Sequence, residues 1–512
     1  MDRRRFLLQA GAVASLPSFA SVLHADDAVP VELTVSDDPS SPVVPLTYTG
    51  LSYELAQLTD LHFFSAENRD LVAYFRLLSL NGVLRIGGNT SEFCWFKANA
   101  SAPEPKLHVP AGNMDANWMP RRLFAISPEA IDVLAGFLQA TGWRLIYGLN
   151  FGNSTPERAA EEAAYVMQKA GDHLEFFQIG NEPDFYHDAN NGTRPAGWGF
   201  ADYVSEWTSF ANAIAARAPG ARFGGPDVGA SSDWITRFCE AVPASGPRLV
   251  ALTGHYYAEG PPNDPRVTTE RLLAGNAGIP AQMKSIEEAA QRKGLVFRMT
   301  EGNSCYRGGK PGMSNAFASA LWAGDYMLQL ASLGCVGVNL HGGSSGFLSA
   351  GLGDHTPGLE VAKTPQTMRS GFYTPIATEP GRTIEAMPIF YGMLLANQFA
   401  GGKFLHADVN MRSVNATAYA VRIRQSMKIA VFNKDSHKSI EISIHTPGTV
   451  KSARAWRLEA PALDAIDGVT FAGAPILAHG QWHPGAPEPI PITDGVPRIQ
   501  VRAGSAALVF LD

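Results

Sequence analysis

The chain has 512 residues, of which 45% are hydrophobic and 17% charged, so it is too long for one ordinary domain and too apolar for a disordered protein. Its formal net charge of −7 argues against a nucleic-acid partner. The 4 cysteines are too few for a disulfide scaffold, and no pair has the spacing of metal ligands, so we expect neither a metal nor another cofactor.

The first 25 residues have the layout of a secretory signal. The basic start at Arg3-Arg4-Arg5 resembles a bacterial twin-arginine signal and precedes a short apolar stretch. Pro17 and the shortness of that stretch argue against a membrane-spanning helix. We therefore expect cleavage after Ala20 or Ala25 and export to the periplasm or the cell exterior.

Eight short strand-like segments lie between residues 48 and 343, and each is followed by a region able to form a helix. This alternation is typical of a (β/α)8 barrel, which we predict for residues 48–395. Ser127 before Pro128, and Thr155 before Pro156, predict the starts of two of the helices. The predicted strands are 48–55, 82–88, 144–150, 175–182, 222–228, 250–257, 296–301 and 335–341.

After about residue 395 the hydrophobic pattern changes to an alternation with a period of two. It is clear in residues 419–424 and 440–444, and an apolar strand follows at 507–511. Such runs, separated by Gly and Pro turns, predict an antiparallel β-sandwich for residues 396–512. Residues 26–47 contain a similar alternation, and we predict that this N-terminal strand joins the C-terminal domain.

Two predicted barrel strands end in a glutamate. The apolar run E-F-F-Q-I-G stops at Asn181-Glu182-Pro183, and V-F-R-M-T leads into Glu301. Catalytic groups of a barrel lie at the carboxyl ends of its strands, so both side chains are expected at one mouth. Retaining glycosidases need one protonated and one ionised carboxyl about 5 to 5.5 Å apart. Asn181 is suited to bind a sugar 2-hydroxyl, which makes Glu182 the candidate acid/base.

Four motifs together resemble glycoside hydrolase family 79, within the large clan of retaining glycosidases built on this barrel. They are L-R-I-G-G-N-T-S-E-F at 84–93, G-N-E-P at 180–183, G-H-Y-Y at 254–257 and M-T-E-G-N-S-C-Y-R-G-G at 299–309. The family contains β-glucuronidases and heparanases and acts with retention of configuration. The resemblance implies the same reaction here, with Glu182 as acid/base and Glu301 as nucleophile.

The resemblance also implies how an acidic sugar is held. In related β-glucuronidases a tyrosine and backbone amides after the nucleophile bind the glucuronate C6 carboxylate, and the matching positions are Tyr306 and Gly308. A glycine-rich loop lets main-chain N–H groups approach an anion, and Tyr306 offers an O–H donor. Arg307 and Lys310 either add charge to this site or are solvated basic residues.

Further candidates lie at other strand ends. Arg85 is a charge inside an apolar strand, which is costly unless paired, and the clan often uses an arginine here to keep the nucleophile ionised. Tyr256 or Tyr257 is expected to donate a hydrogen bond to Glu301, while the other packs in the core.

Three more residues at strand ends are candidates. Asn89 and Asn150 either reach sugar hydroxyls or cap a helix. His341 has no partner in sequence, and we expect it to be a wall or sugar-contact residue and not a metal ligand.

Other functions remain open. An endo-acting, heparanase-like hydrolase would favour rows of basic residues along an open cleft, whereas the chain has only small clusters such as Arg121-Arg122, so exo action is preferred. A barrel glycosidase acting on a neutral sugar is another alternative. A non-catalytic carbohydrate-binding protein would need no carboxylate pair. The expected partner is a glucuronide or a glycan containing glucuronic acid, and no segment after the signal is apolar for long enough to span a membrane.

Overall fold

The computed structural model of the chain describes residues 28–107, 118–120, 122–188, 193–355, 371–379 and 383–512. The predicted signal, residues 1–25, lies outside this part of the chain. Among the described residues, no helix is both long and apolar enough to cross a membrane.

Eight parallel strands close into a barrel in which the eighth pairs with the first. All eight predicted strands are confirmed, with ends that differ by a few residues. Most of their residues are buried, because helices cover the outside of the barrel and side chains fill its interior. Barrel strands one to eight are Thr49–Glu54, Val83–Gly87, Arg144–Leu149, Leu174–Ile179, Phe223–Val228, Leu249–Glu259, Val296–Cys305 and Val338–Gly342.

Helices alternate with these strands. Ser127 accepts a hydrogen bond from the backbone N–H of Ala130, 3.2 Å away, and Thr155 accepts one from Arg158, so both predicted helix starts are confirmed. In the described part of the chain the helices are α1 (Arg69–Leu78), α2 (Pro128–Thr141), α3 (Pro156–Ala170), α4 (Phe200–Arg217), α5 (Ser232–Ala241), α6 (Thr269–Ala274), α7 (Ile279–Arg292), α8 (Phe317–Ser332), α9 (Ser345–Gly351) and α10 (Pro388–Asn397).

Near the barrel mouth, three strands end two or more residues away from their predicted ends. Strand four ends at Ile179, three residues before the predicted end at Glu182, because Gly180 and Glu182 have positive φ angles that stop the strand. Strands six and seven run further than predicted, because they continue to pair with each other up to Glu259 and Cys305. The register between them shifts at Met299 to Glu301, and such an irregularity changes the direction in which side chains point.

An 11-stranded sheet forms the second domain. It is antiparallel except where the N-terminal strand lies parallel to Ile440–His445; that strand pairs antiparallel with Lys403–Val409 on its other side. The sheet curls around its own core, which includes Leu33, Ile442 and Val509. Its strands are Val29–Ser36, Lys403–Val409, Ala416–Ile423, Ser426–Asn433, Ile440–His445, Ala453–Glu459, Thr470–Phe471, Glu488–Pro489, Ile492–Thr493, Val496–Val501 and Ser505–Leu511.

The other face of this sheet packs on the barrel. Phe432, Leu458 and Leu508 belong to the same buried cluster as the barrel residues, not to the core of the sheet. Three pairs of short strands complete the described structure: Cys94–Phe96 with Phe124–Ile126, Ile376–Ala377 with Glu385–Ala386, and Ile476–Leu477 with Gln481–Trp482.

Candidate active site

A cleft of about 510 Å³ opens at the carboxyl ends of the barrel strands. Its lining comes from strand ends on all sides of the barrel, which is where the eight-stranded architecture places functional groups. Its lining includes the polar residues Glu54, Asn89, Glu182, Tyr257, Glu301, Tyr306, His341 and Tyr373. Both predicted catalytic glutamates therefore face the same space.

Glu182 reaches the cleft from the turn after strand four. Its backbone has φ 51° and ψ 51°, in the left-handed region, and its N–H donates to the carbonyl of Asp227, 2.9 Å away. This bond ties the turn to strand five. The Glu182 side chain is 18% exposed, so it is the more accessible of the two glutamates.

Glu301 lies on strand seven and is held from three directions. Tyr257 donates to Oε1 over 2.8 Å, and the Arg85 guanidinium forms an ion pair with Oε2. His341 Nδ1 lies 3.6 Å from the same Oε2. These contacts leave the Glu301 carboxylate little freedom to rotate.

The two carboxyl groups are close and have opposite electrostatic surroundings. An oxygen of Glu182 lies within 4.8 Å of an oxygen of Glu301. Burial raises the pKa of Glu182, and the charge of Glu301 raises it further. Burial would also raise the pKa of Glu301, but His341, His255, Arg85 and the Tyr257 hydrogen bond outweigh it and lower that pKa. One carboxyl thus favours its protonated form and the other its ionised form.

Arg85, on strand two, is the centre of a buried polar network. Its guanidinium donates to Asp227 over 2.6 Å and to Asn181 over 2.8 Å, in addition to the ion pair with Glu301. Burial alone would lower the pKa of Arg85, but the carboxylates of Asp227 and Glu301 raise it. The cost of burying the charge is offset by these partners.

Asp227 and His255 are part of this network, and the sequence prediction missed both. His255 Nδ1 lies 3.0 Å from Glu182 Oε1, and its Nε2 lies 3.1 Å from Asp227 Oδ1. The sequence contained an indication of each. Asp227 is a charged residue inside an apolar strand, the same feature that marked Arg85 as a candidate. His255 lies within the motif at 254–257.

Glu54 and Glu92 were also missed. Glu54 is the last residue of strand one, and it accepts from the Thr90 N–H over 2.8 Å. Glu92 is buried and accepts from the backbone N–H groups of Phe151 (2.9 Å) and Asn181 (2.7 Å), which ties together the loops after strands three and four. Burial raises the pKa of Glu92 even though these donors oppose the shift.

The predicted carboxylate-binding loop begins in the cleft. Tyr306 and Arg307 line it, and the Arg307 guanidinium lies 3.9 Å above the Trp118 ring. Gly308 is buried and is not among the lining residues; its φ of 87° favours glycine, and its carbonyl accepts from the Phe372 N–H over 2.7 Å. The Lys310 ammonium donates to the carbonyl of Val267 over 2.6 Å, outside the cleft lining.

The asparagines predicted as sugar contacts occupy different positions. Asn89 lines the cleft and accepts from the Asn181 amide over 3.1 Å. Asn181 itself is buried behind that position, between Asn89 and Arg85. Asn150 is not among the lining residues: its amide donates to the Cys94 carbonyl and its oxygen accepts from the Asn153 N–H, so loop contacts occupy both ends.

The remaining predicted residues separate into lining and packing roles. Of the two tyrosines on strand six, Tyr257 contacts Glu301, while the Tyr256 ring stacks on Tyr326 with centroids 5.1 Å apart. His341 lines the cleft, and its Nε2 lies 3.5 Å from Glu54 Oε1.

Glu182, His255 and Glu301 are close enough together to raise the question of a metal ion, since one ligand atom from each lies within 4.8 Å of the others. Burial would lower the pKa of His255, but the charges of Asp227 and Glu301 raise it to about 10. A protonated imidazole has no lone pair for a metal. With its imidazole protonated, the cluster is suited to acid–base chemistry.

Two curated relatives are similar in sequence, and both are named beta-glucuronidase. One, from Aspergillus niger, is 23% identical over 568 aligned residues that cover 98% of this chain and 97% of the relative. The other, from Neurospora crassa, is 27% identical over 369 residues, covering 65% of this chain and 63% of the relative. No family model matches the chain. The resemblance to β-glucuronidases found in the motifs is confirmed by these relatives.

Solved structures share the fold. A 4-O-α-L-rhamnosyl-β-D-glucuronidase from Fusarium oxysporum superposes with a TM-score of 0.69 at 18% identity, covering 93% of this chain and 99% of that one. A family 51 arabinofuranosidase from Xanthomonas axonopodis pv. citri gives 0.61 at 15% identity, covering 94% and 100%. These structures confirm the predicted fold class, a (β/α)8 barrel with an added antiparallel β-domain. With the two curated relatives described above, the chain is a glycoside hydrolase.

Proposed function

We propose that this glycoside hydrolase is an exo-acting retaining β-glucuronidase, with Glu182 as acid/base and Glu301 as nucleophile. The observation that carries the proposal is the pair itself: two carboxyl oxygens within 4.8 Å of each other in one cleft, with pKa values shifted in opposite directions. Retaining enzymes hold their carboxyl groups about 5 to 5.5 Å apart, whereas inverting enzymes leave about 6.5 to 9.5 Å for a water molecule.

The reaction would proceed in two displacements. Glu301 attacks the anomeric carbon while Glu182 gives its proton to the leaving oxygen, forming a glycosyl ester on Glu301. With Glu301 esterified, its negative charge no longer raises the pKa of Glu182, so Glu182 then accepts a proton from the water that attacks the ester. The second inversion restores the β configuration.

The side chains that line the cleft are suited to binding an acidic sugar. Tyr306 and Arg307 lie side by side in the lining, where they offer an O–H and a cation to a C6 carboxylate. Tyr373 lies near Tyr257, with ring centroids 6.2 Å apart, on the same side of the cleft. Because Gly308 is buried, we assign the carboxylate contact to the side chains of Tyr306 and Arg307 before the Gly308 backbone.

Exo action is supported by the apolar part of the cleft lining among the described residues. Leu348 from α9, Leu352 just after it and Trp118 all line the cleft. Apolar side chains in the lining suit a site that holds one terminal sugar more than a groove for a charged polymer. Export through the predicted signal at residues 1–25 is part of the same proposal.

The direct test compares three substrates: 4-nitrophenyl β-glucuronide, the matching glucoside and heparan sulfate. We expect release from the glucuronide only, with a product that proton NMR first detects as the β anomer. Activity on the polymer alone would favour the endo alternative, and a first product in the α form would contradict retention.

Two variants assign the roles. Glu301→Gln should lower kcat by more than about 10⁴-fold while glucuronide binding persists, because the nucleophile is lost but its shape is kept. Glu182→Gln should lower the rate by about 10²- to 10⁴-fold. The loss should be smaller for aryl glucuronides whose leaving group departs without protonation. Added azide should restore part of the rate. The product of that rescue should be the β-glycosyl azide, because azide displaces the sugar from the ester on Glu301. An α-glycosyl azide from the Glu182 variant would exchange the two roles.

A further inference from the structure

Asp227 connects the two halves of the candidate machinery. Its Oδ2 accepts from Arg85 over 2.6 Å, and Arg85 is paired with Glu301. Its Oδ1 lies 3.1 Å from Nε2 of His255, whose Nδ1 lies 3.0 Å from Glu182. A continuous series of polar contacts therefore runs from Glu301 to Glu182 through these three side chains.

Asp227 and His255 are too deeply placed to touch a sugar. The His255 side chain is 0% exposed and that of Asp227 is 1% exposed, and neither is among the lining residues of the cleft. The Thr300 hydroxyl and the Gln178 amide also bind Oδ1 of Asp227, so this carboxylate has its full set of donors. A buried charged pair of this kind contributes little to stability relative to an apolar replacement, which leaves its effect on its neighbours as the property to explain.

The surroundings of His255 decide its charge. Three carboxyl groups face the ring, from Asp227, Glu182 and Glu301, and one cation, Arg85, has a nitrogen 3.5 Å from Nε2. Burial lowers the pKa of His255, but the charges of Asp227 and Glu301 and the hydrogen bonds to Asp227 and Glu182 outweigh it and raise the pKa to about 10. Both ring nitrogens then carry protons at neutral pH, and each faces a carboxylate oxygen.

We propose that Asp227 and His255 form a positioning pair that controls which oxygen of Glu182 carries the transferable proton. The His255 Nδ1–H donates to Oε1, which leaves Oε2 to hold the proton in the acid step. When that proton has passed to the leaving oxygen, the same N–H stabilises the carboxylate until Glu182 takes a proton from water. His255 keeps both of its protons throughout. The inference rests on the proposed function.

The pair should set both limits of the pH–rate profile. Burial raises the pKa of Glu182, and the hydrogen bond and charge of His255 restrain that rise. His255 is also one of the charges that lower the pKa of Glu301. Loss of the imidazolium therefore raises the pKa of both glutamates, and the acidic and basic limbs of kcat/KM should both move to higher pH.

The first experiment compares His255→Gln and His255→Phe with the wild type on an aryl glucuronide. The Gln variant keeps a hydrogen-bond donor without the charge, and the Phe variant removes both. We expect both limbs to move upward by about half a pH unit or more in each variant, with kcat/KM at the optimum lower by about 10-fold for Gln and about 100-fold for Phe. Asp227→Asn in the Gln background should add no further shift of the basic limb.

Tyr203→Phe is the matched control. It removes only a hydroxyl that donates over 3.3 Å to the carbonyl of Pro226, next to Asp227, and both limbs should stay in place. Rate losses in the His255 variants with unmoved limbs would mean a structural role and would overturn the proposal. A wild-type protein inactive on every glucuronide tested would contradict the proposed function instead, before any variant is compared.

A second measurement needs no turnover. In ¹⁵N-labelled protein the ring signals of His255, assigned by their loss in His255→Gln, should be those of a charged imidazolium at pH 8, and Asp227→Asn should shift them toward the neutral form. A neutral ring in the wild type at pH 8 would overturn the proposal, whatever the activity.

Discussion

At the scale of single residues, the barrel mouth is organised by buried charges that each have a partner. Arg85 binds Asp227 and Glu301, and Glu92 gathers the backbone N–H groups of the neighbouring loops. Breaking a buried pair leaves an uncompensated charge, so substitutions here act on pKa values as well as on packing.

Tyr257→Phe isolates one of these effects. It removes the O–H that donates to Glu301 Oε1 over 2.8 Å, an interaction that helps the surrounding charges lower the pKa of Glu301 against burial. The pKa of Glu301 should rise, so the acidic limb of kcat/KM should move to higher pH. The value of kcat/KM at the optimum should fall about 10-fold, which corresponds to about 1.4 kcal/mol of transition-state stabilisation. Tyr256→Phe is the control. The Tyr256 ring stacks on Tyr326, and this variant should leave the acidic limb in place.

Arg307→Gln tests recognition of the acidic sugar. If the guanidinium binds the C6 carboxylate, kcat/KM for the glucuronide should fall by about 10-fold or more, the value of a charged hydrogen bond, while any slow glucoside hydrolysis is unchanged. Lys310→Gln makes the same charge change three residues away, outside the cleft lining, and should have little effect on the ratio of the two rates. Equal losses on both sugars would indicate a packing role for Arg307.

At the scale of elements, α8 joins the barrel to the curled sheet. Its Asp325 accepts from the hydroxyls of Thr417 (2.6 Å) and Tyr419 (2.7 Å), which lie on one strand of the sheet, and pairs with Lys434, which directly follows the next strand. Gly392 of α10 packs directly on the backbone of Ala320 in α8, where any side chain would overlap a carbonyl. These contacts explain why a helix of the barrel and the face of the sheet share one core.

Asp325→Ala should weaken this junction. The Lys434 side chain is only 5% exposed, so the substitution leaves a buried ammonium without its carboxylate, and we expect a loss of about 3 kcal/mol in the free energy of unfolding. Urea unfolding followed by tryptophan fluorescence measures it. Asp233→Ala breaks an exposed pair with Arg237 and should cost about 0.5 kcal/mol or less. Similar losses for the two variants would contradict a buried junction.

At the scale of the whole molecule, stability should depend on pH through a buried carboxyl that is not part of the cleft lining. Glu162 of α3 accepts a hydrogen bond from the Tyr147 hydroxyl over 2.8 Å, and burial raises its pKa from 4.5 to about 7. The folded chain binds this proton more tightly than the unfolded chain. Its contribution to stability is therefore complete below pH 4.5 and is lost as the pH rises to 7 and above.

Glu162→Gln should remove that dependence, because the amide needs no proton to stay neutral and can still accept from Tyr147. Across the interval from pH 4.5 to 7 the wild type should lose up to about 3 kcal/mol relative to the variant, measured by urea unfolding at several pH values. Glu161→Gln, at the exposed neighbouring position, is the control and should follow the wild type. If the free energy of unfolding of the Glu162→Gln variant changed with pH as steeply as that of the wild type, the raised pKa of Glu162 would be contradicted.

The sequence by itself determined the eight barrel strands and the helix starts at Ser127 and Thr155, because apolar runs and capping residues act over a few neighbouring positions. It also indicated that strand-end glutamates share a mouth, since a parallel barrel brings all carboxyl ends to one side. Only the tertiary structure decided that Asp227 and His255 lie between Glu301 and Glu182, that Asn89 faces the cleft and Asn150 does not, and that Gly308 is buried. Those outcomes depend on contacts between residues far apart in the chain, which form when the barrel closes and the strands take their register.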